Sequence, residues 1–142
     1  MTRKVLFLCT GNSCRSQMAE AIVNARLSDD WRAFSAGTEP AGYVHPKAIQ
    51  VLDEIGITHK GESKSADLFR EIDFDLVITV CDDAAENCPL WLGVGKRAHL
   101  GFPDPAKAQG TDKEKLAVFR SVRDAIVQKV PDLLSQMPSE LN

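Results

Sequence analysis

The chain has 142 residues, 44% hydrophobic and 26% charged, with a formal net charge of −3. This suits one globular domain spanning residues 1–142 with a core that needs no disulfide staples, and it excludes a disordered chain. The mild negative charge argues against a nucleic-acid or anionic-membrane surface, no stretch approaches a membrane span, and the apolar N-terminal run is too short for a secretory signal, so a cytoplasmic protein is expected.

In chain order, Lys4 to Cys9 reads as a strand buried on both faces, the kind a parallel sheet needs. A helix is predicted from Ser16 to about Leu27, where Met18, Ala19, Ile22, Val23 and Leu27 recur at spacings of three and four. Trp31 to Ala36 is a second strand, closed by Gly37. Pro46 suits a first helical turn, and Ala48, Ile49, Leu52 and Ile55 form one face that ends at Gly56. A short helix is expected over Ser65 to Arg70, a third strand over Leu76 to Val80, and a fourth over Arg97 to Leu100. The last helix starts near Thr111 or Asp112, and Pro131 should kink or break it. There is no internal repeat, low-complexity tract or linker. Strands alternating with helices imply a parallel sheet with right-handed crossovers.

The chemistry concentrates in Cys9-Thr10-Gly11-Asn12-Ser13-Cys14-Arg15, between the first strand and the first helix. Such a loop can turn successive N–H groups inward and bind an anion at a helix N-terminus. The same field favours the thiolate of a cysteine placed there. Cys9 is therefore the candidate nucleophile, Arg15 a planar fork for two oxygens of a bound oxyanion, and Thr10, Gly11, Asn12, Ser13 and Cys14 the cradle. Gly11 can take a positive φ and lets the backbone approach the ligand, and Asn12 tolerates the left-handed region and can brace the loop. Ser16 can donate its hydroxyl to the Cys9 sulfur; its alternative role is a helix N-cap. Cys14 reads as packing, and His45 and His59 as surface or cap residues.

Asp104 lies between Pro103 and Pro105, a stiff setting for a general acid, although Asp-Pro also starts ordinary turns. Cys81 falls at a strand's C-terminal end, with Cys88 seven residues on. Ligands of open parallel sheets bind beyond such ends. If strands one and three are neighbours, Cys9 and Cys81 emerge on one edge. The cysteine pair is open to three readings: redox partners, inert core residues, or a zinc site with His99 that lacks a fourth ligand. Trp91 and Leu92 are either core or an exposed patch for a partner.

The run from Cys9 to Glu20, with Phe34-Ser35-Ala36-Gly37, His45-Pro46-Lys47-Ala48, Asp75 to Cys81, Cys88-Pro89 and Gly101-Phe102-Pro103-Asp104-Pro105, resembles the low-molecular-weight protein tyrosine phosphatase superfamily. It looks closest to the thioredoxin-coupled arsenate reductases within it. The likeness covers nearly the whole chain, and the Cys81/Cys88 pair selects reductase over phosphatase. It implies a three-layer α/β fold, a four-stranded parallel sheet flanked by helices. It also implies a relay: Cys9 attacks arsenate while Asp104 protonates the departing oxygen, Cys81 then displaces arsenite, and Cys88 frees Cys9. Thioredoxin, or glutaredoxin with glutathione, would reduce the final disulfide, and a monomer is expected.

Two alternatives accompany this reading. One is a phosphatase acting on phosphotyrosine, although Ala106 and Lys107 stand where the phosphatases usually carry aromatic residues. The other is a thiol-based metal- or arsenite-binding protein using Cys81, Cys88 and His99. Some relatives bind potassium near the loop. Asn12, Glu20 and Ser35 match that site, but its aspartate position aligns ungapped with Ser65, and Asp67 would need a two-residue shift. No other cofactor is expected.

Overall fold

A computed structural model describes residues 2–82 and 95–137. Its elements in chain order are β1 (Arg3–Cys9), α1 (Arg15–Arg26), β2 (Trp31–Gly37), α2 (Pro46–Asp53), β3 (Leu76–Thr79), β4 (Lys96–His99) and α3 (Asp112–Ser135). Single 3-10 turns lie at Ala66–Phe69 and Pro105–Lys107. The sheet order is β2-β1-β3-β4, parallel throughout.

The continuous apolar run of β1 fits its central place. Val5, Phe7 and Cys9 join the core formed with Met18, Ile22, Leu52, Phe119 and Ile126 of the three helices. Leu6 and Leu8 face the other way, into a smaller core with Ala36, Phe74 and Val77. That second face is closed by Phe34, Phe69 and Phe74, packed edge to face at centroid distances of 5.6 to 6.1 Å. Each such apolar side chain contributes about 1.5–3 kcal/mol on burial.

The register sets the site. Cys9 pairs with Gly37 on one side, and Leu8 pairs with Thr79 on the other. Strands one and three are thus neighbours, and Cys9, Gly37 and Cys81 gather at the C-terminal edge.

Of the two outcomes expected at Pro131, a break does not occur: the residue lies inside α3, which continues to Ser135. The ring removes one backbone donor and crowds the preceding turn. Val130 and Leu134, both buried in the main core, hold the helix together across that gap. A capping box at Thr111 and Glu114 fixes the other end of α3.

Candidate active site

The loop after β1 is held from behind by its carbonyls. Thr38, Glu39, Ala41 and His45 donate their backbone N–H groups to the carbonyls of Cys9, Thr10, Gly11 and Ser13. The Asn12 carbonyl accepts from Gln17 Nε2, and that of Cys14 from Met18 N in the first turn of α1. Every carbonyl from Cys9 to Cys14 is therefore engaged. These bonds hold the backbone of the loop in one curve around the cavity, the setting in which successive amides can form an anion site.

The left-handed residue of the loop is Asn12, at φ 48°, and not Gly11. A network fixes its side chain. Lys64 N and Gln17 Nε2 donate to Asn12 Oδ1 at 2.7 and 3.0 Å. Gln17 Nε2 also donates to the Glu62 carbonyl at 2.7 Å, so Gln17 Oε1 is left to accept from His59 Nε2 at 2.7 Å. With Oδ1 so occupied, Asn12 Nδ2 donates to Ser16 Oγ at 2.8 Å. The Ser16 hydroxyl is then free to donate onward to Cys9 Sγ, 2.9 Å away. Asn12 N also donates to that sulfur, at 3.2 Å. Two donors therefore converge on Cys9, and the direction of the chain follows from the donor and acceptor inventory of its members. Ser16 lies inside α1, not at its cap; the N-cap position is Cys14, with no side-chain cap bond.

Arg15 is buried, and its Nη1 donates to the Phe102 carbonyl at 3.2 Å. Its Nη2 lies 3.8 Å from Asp104 Oδ2. Asp104 caps the 3-10 turn at Pro105 by accepting from Ala106 N at 3.0 Å. A cavity of about 190 Å³ opens here, lined by Cys9, Arg15 and Asp104 and walled by Tyr43, His45 and Ala106. Its floor is a sulfur with two donors, its side a guanidinium, and its rim a carboxyl. Such a site can seat a tetrahedral oxyanion against a nucleophile.

Cys14 is packing: burial, with Asp104 next, pushes its thiol up to about 12. Cys81 is wholly buried and disulfide-bonded, whereas Cys9 and Cys14 are free. Cys88, Trp91 and Leu92 lie outside the described residues. His99 Nδ1 lies 2.7 Å from Thr79 Oγ1, and no group of three metal-ligating side chains occurs among the described residues.

The potassium set comes together in space but does not fit an ion. Asn12 Oδ1 is already an acceptor twice over. Glu20 Oε1 accepts from Ser35 Oγ at 2.9 Å and lies 3.9 Å from Lys64 Nζ. That ammonium, itself bonded to the Glu62 carbonyl, stands where a cation would be needed. Asp67 instead pairs with Arg70 at 2.9 Å, on the surface.

Three residues of the site carried no sequence signal of their role: Gln17, His59 and Lys64. His59 is not a surface residue; its side chain is 8% exposed. Burial, with Lys64 next, holds it below its ordinary 6.5, and burial with Lys47 lowers His45 likewise. The unfolded imidazoles thus take up protons near pH 6.5 that the folded chain refuses. The unfolded state then binds more protons, so stability is full above that pH and is lost as pH falls below it. Glu20 acts with the opposite sign lower down, because burial raises it above 4.5. Melting curves from about pH 7.5 to about pH 5.5 should show a falling midpoint, with a shallower slope in His59→Gln.

The family model for low molecular weight phosphotyrosine protein phosphatases matches residues 4–142. The arsenate reductase of Halalkalibacterium halodurans is 50% identical over 133 residues, 92% of this chain and 94% of that one. That of Bacillus subtilis is 44% identical over 136 residues, 93% and 96% of the two chains. Among solved structures, an arsenate reductase from Archaeoglobus fulgidus superposes with a TM-score of 0.79 at 31% identity, covering 93% of this chain and 99% of its own. An arsenate reductase in its oxidized state gives 0.73 at 31% identity, over 95% of this chain and 98% of its own. With a family model matched over residues 4–142 and arsenate reductases 44–50% identical over more than nine-tenths of the chain, the protein belongs to the low molecular weight phosphotyrosine protein phosphatase family, in its arsenate reductase branch.

Proposed function

We propose that this protein reduces arsenate to arsenite and passes the resulting disulfide outward through Cys9, Cys81 and Cys88. The observation that carries the reading is Cys81, buried past the end of the strand beside that of Cys9 and disulfide-bonded while Cys9 is free. A hydrolytic phosphatase has no use for an oxidised cysteine at that edge.

The steps balance. The Cys9 thiolate attacks arsenic held by the loop amides and Arg15, and Asp104 protonates the oxygen that leaves as water. The Cys81 thiolate attacks the Cys9 sulfur. The sulfur–sulfur bond forms, the sulfur–arsenic bond breaks, and its electron pair reduces As(V) to As(III). Cys88 then attacks Cys81 and expels the Cys9 thiolate, by ordinary thiol–disulfide exchange. The sequence ends with Cys81 oxidised and Cys9 returned to its thiolate. Lys64, not an alkali ion, supplies the positive charge beside Glu20.

The reductant is a dithiol protein of the thioredoxin type, or glutaredoxin with glutathione, acting on a monomer in the reducing cytoplasm. No described helix is long and apolar enough to cross a membrane. Arsenate added to the protein with thioredoxin, thioredoxin reductase and NADPH should start NADPH consumption, and a parallel glutaredoxin assay identifies the partner. Silence in both, with p-nitrophenyl phosphate hydrolysis that survives loss of Cys81 and Cys88, would overturn the reading in favour of a phosphatase.

A further inference from the structure

We propose that His45 donates a hydrogen bond from Nε2 to the oxyanion bound over Cys9 and is a further oxyanion-binding residue of the site. The inference rests on the reading that this cavity holds a tetrahedral oxyanion.

Three features support it. His45 Nδ1 accepts from Lys47 N at 3.1 Å and so caps α2. A neutral imidazole that accepts at Nδ1 carries its proton on Nε2, and burial with Lys47 and Lys115, against the pull of Asp104, keeps the ring neutral. The ring is also held in place. Its backbone N donates to the Ser13 carbonyl at 3.0 Å, and the ring lies against Phe119, tilted by 43° at a centroid distance of 4.8 Å. Finally, the ring lines the same cavity as Cys9, Arg15 and Asp104, and its Nε2 makes no hydrogen bond among the described residues and is not a buried orphan, so it is open to the cavity's solvent.

With the Nδ1 edge turned to the helix and the ring against Phe119, the Nε2 edge is what remains for the cavity. A donor fixed in advance needs no reorganisation when the anion arrives. Tying the α2 cap to the loop through Ser13 also couples the donor's position to the cradle.

Two variants separate the donor from the cap. Asparagine is a preferred N-cap but is too short to replace the far ring nitrogen, so His45→Asn keeps the cap and removes the donor. His45→Gln keeps an amide donor of similar reach and weakens the cap. Dissociation constants for inorganic arsenate and inorganic phosphate can be read on the reduced protein from the protection of Cys9 against iodoacetamide, beside the melting midpoint. His45→Asn should weaken both anions by about 10- to 100-fold, the range for a hydrogen bond to a charged group, with the midpoint close to that of the parent. His45→Gln should bind nearly as well as the parent and melt earlier. Full protection in His45→Asn, or losses in both variants that track their melting midpoints, overturns the proposal. The readout needs no turnover, so it stays decisive if arsenate reduction fails. Absence of protection in the unmodified protein overturns both this inference and the reading of the cavity.

Discussion

Reduced Cys88→Ser protein given excess arsenate should release one arsenite per chain and stop, holding a Cys9–Cys81 disulfide. The expectation follows from burial as much as from chemistry. Cys9 is 2% exposed and Cys81 is 0% exposed. A disulfide between them lies at the C-terminal edge of the two central strands, out of reach of a dithiol protein that must present its own thiolate to a sulfur. Exchange requires direct attack on one of the two sulfurs, so a third thiol must carry the oxidising equivalent outward. Without Cys88, turnover with a thioredoxin-type reductant should fall to background, while a small dithiol reagent should restore part of it. Peptide mass spectrometry locates the bridge, and Cys9→Ser provides the control that yields no arsenite. Sustained turnover by Cys88→Ser would show that the reductant reaches the first disulfide directly, and the relay would be wrong.

What could be read before the structure was local. The segment from Cys9 to Ser16 is consecutive, and Asn12 N and Ser16 Oγ meet the sulfur through the geometry of one loop and one helical turn. That Cys9 and Cys81 share an edge was legible only on the condition that strands one and three are neighbours, which the sheet order supplies. The wiring under the loop was not. Gln17 stands in the motif, but its role depends on Glu62 and His59, more than forty residues away, in a segment with no periodic pattern. Lys64 reads as an ordinary surface charge, yet its amide fixes Asn12 and its ammonium faces Glu20. Pro131, expected to kink or break the last helix, does not break it, and Val130 and Leu134 on either side are buried in the main core. Which residue of the loop would be left-handed was decided the same way. Asn12, and not Gly11, takes that conformation, with its side chain held by Ser16 and Gln17 of the adjoining helical turn and by Lys64 N, fifty-two residues on.

The glycine that the site depends on is therefore a different one, and Gly37→Ala should disable it. Gly37 ends β2 against the loop, paired with Cys9, and its N–H donates to the Lys64 carbonyl at 2.8 Å. A methyl group there would clash with the Thr10 carbonyl and lie 3.0 Å from Asn12 N and 3.1 Å from Asn12 Cβ. None of these is the end of a flexible side chain. Thr10 is held by Glu39 N at 2.9 Å, and Asn12 N is one of the two donors to Cys9 Sγ. Relief must come from moving the loop or the strand, at a cost of about 1–3 kcal/mol for an overpacked position. A shift of roughly 1 Å at the reacting centre lowers the rate by about 100-fold. Gly11→Ala provides the contrast. Its methyl would meet only Ala41 Cβ, at 4.0 Å, and Gly11 is not in the left-handed region. Stability there should change by no more than about 0.5 kcal/mol. Urea unfolding compared with the rate of Cys9 alkylation and of arsenate turnover distinguishes the two. A Gly37→Ala protein with the parent's turnover would mean that the loop yields without disturbing the sulfur, and that the hydrogen bonds to Cys9 do not set the rate.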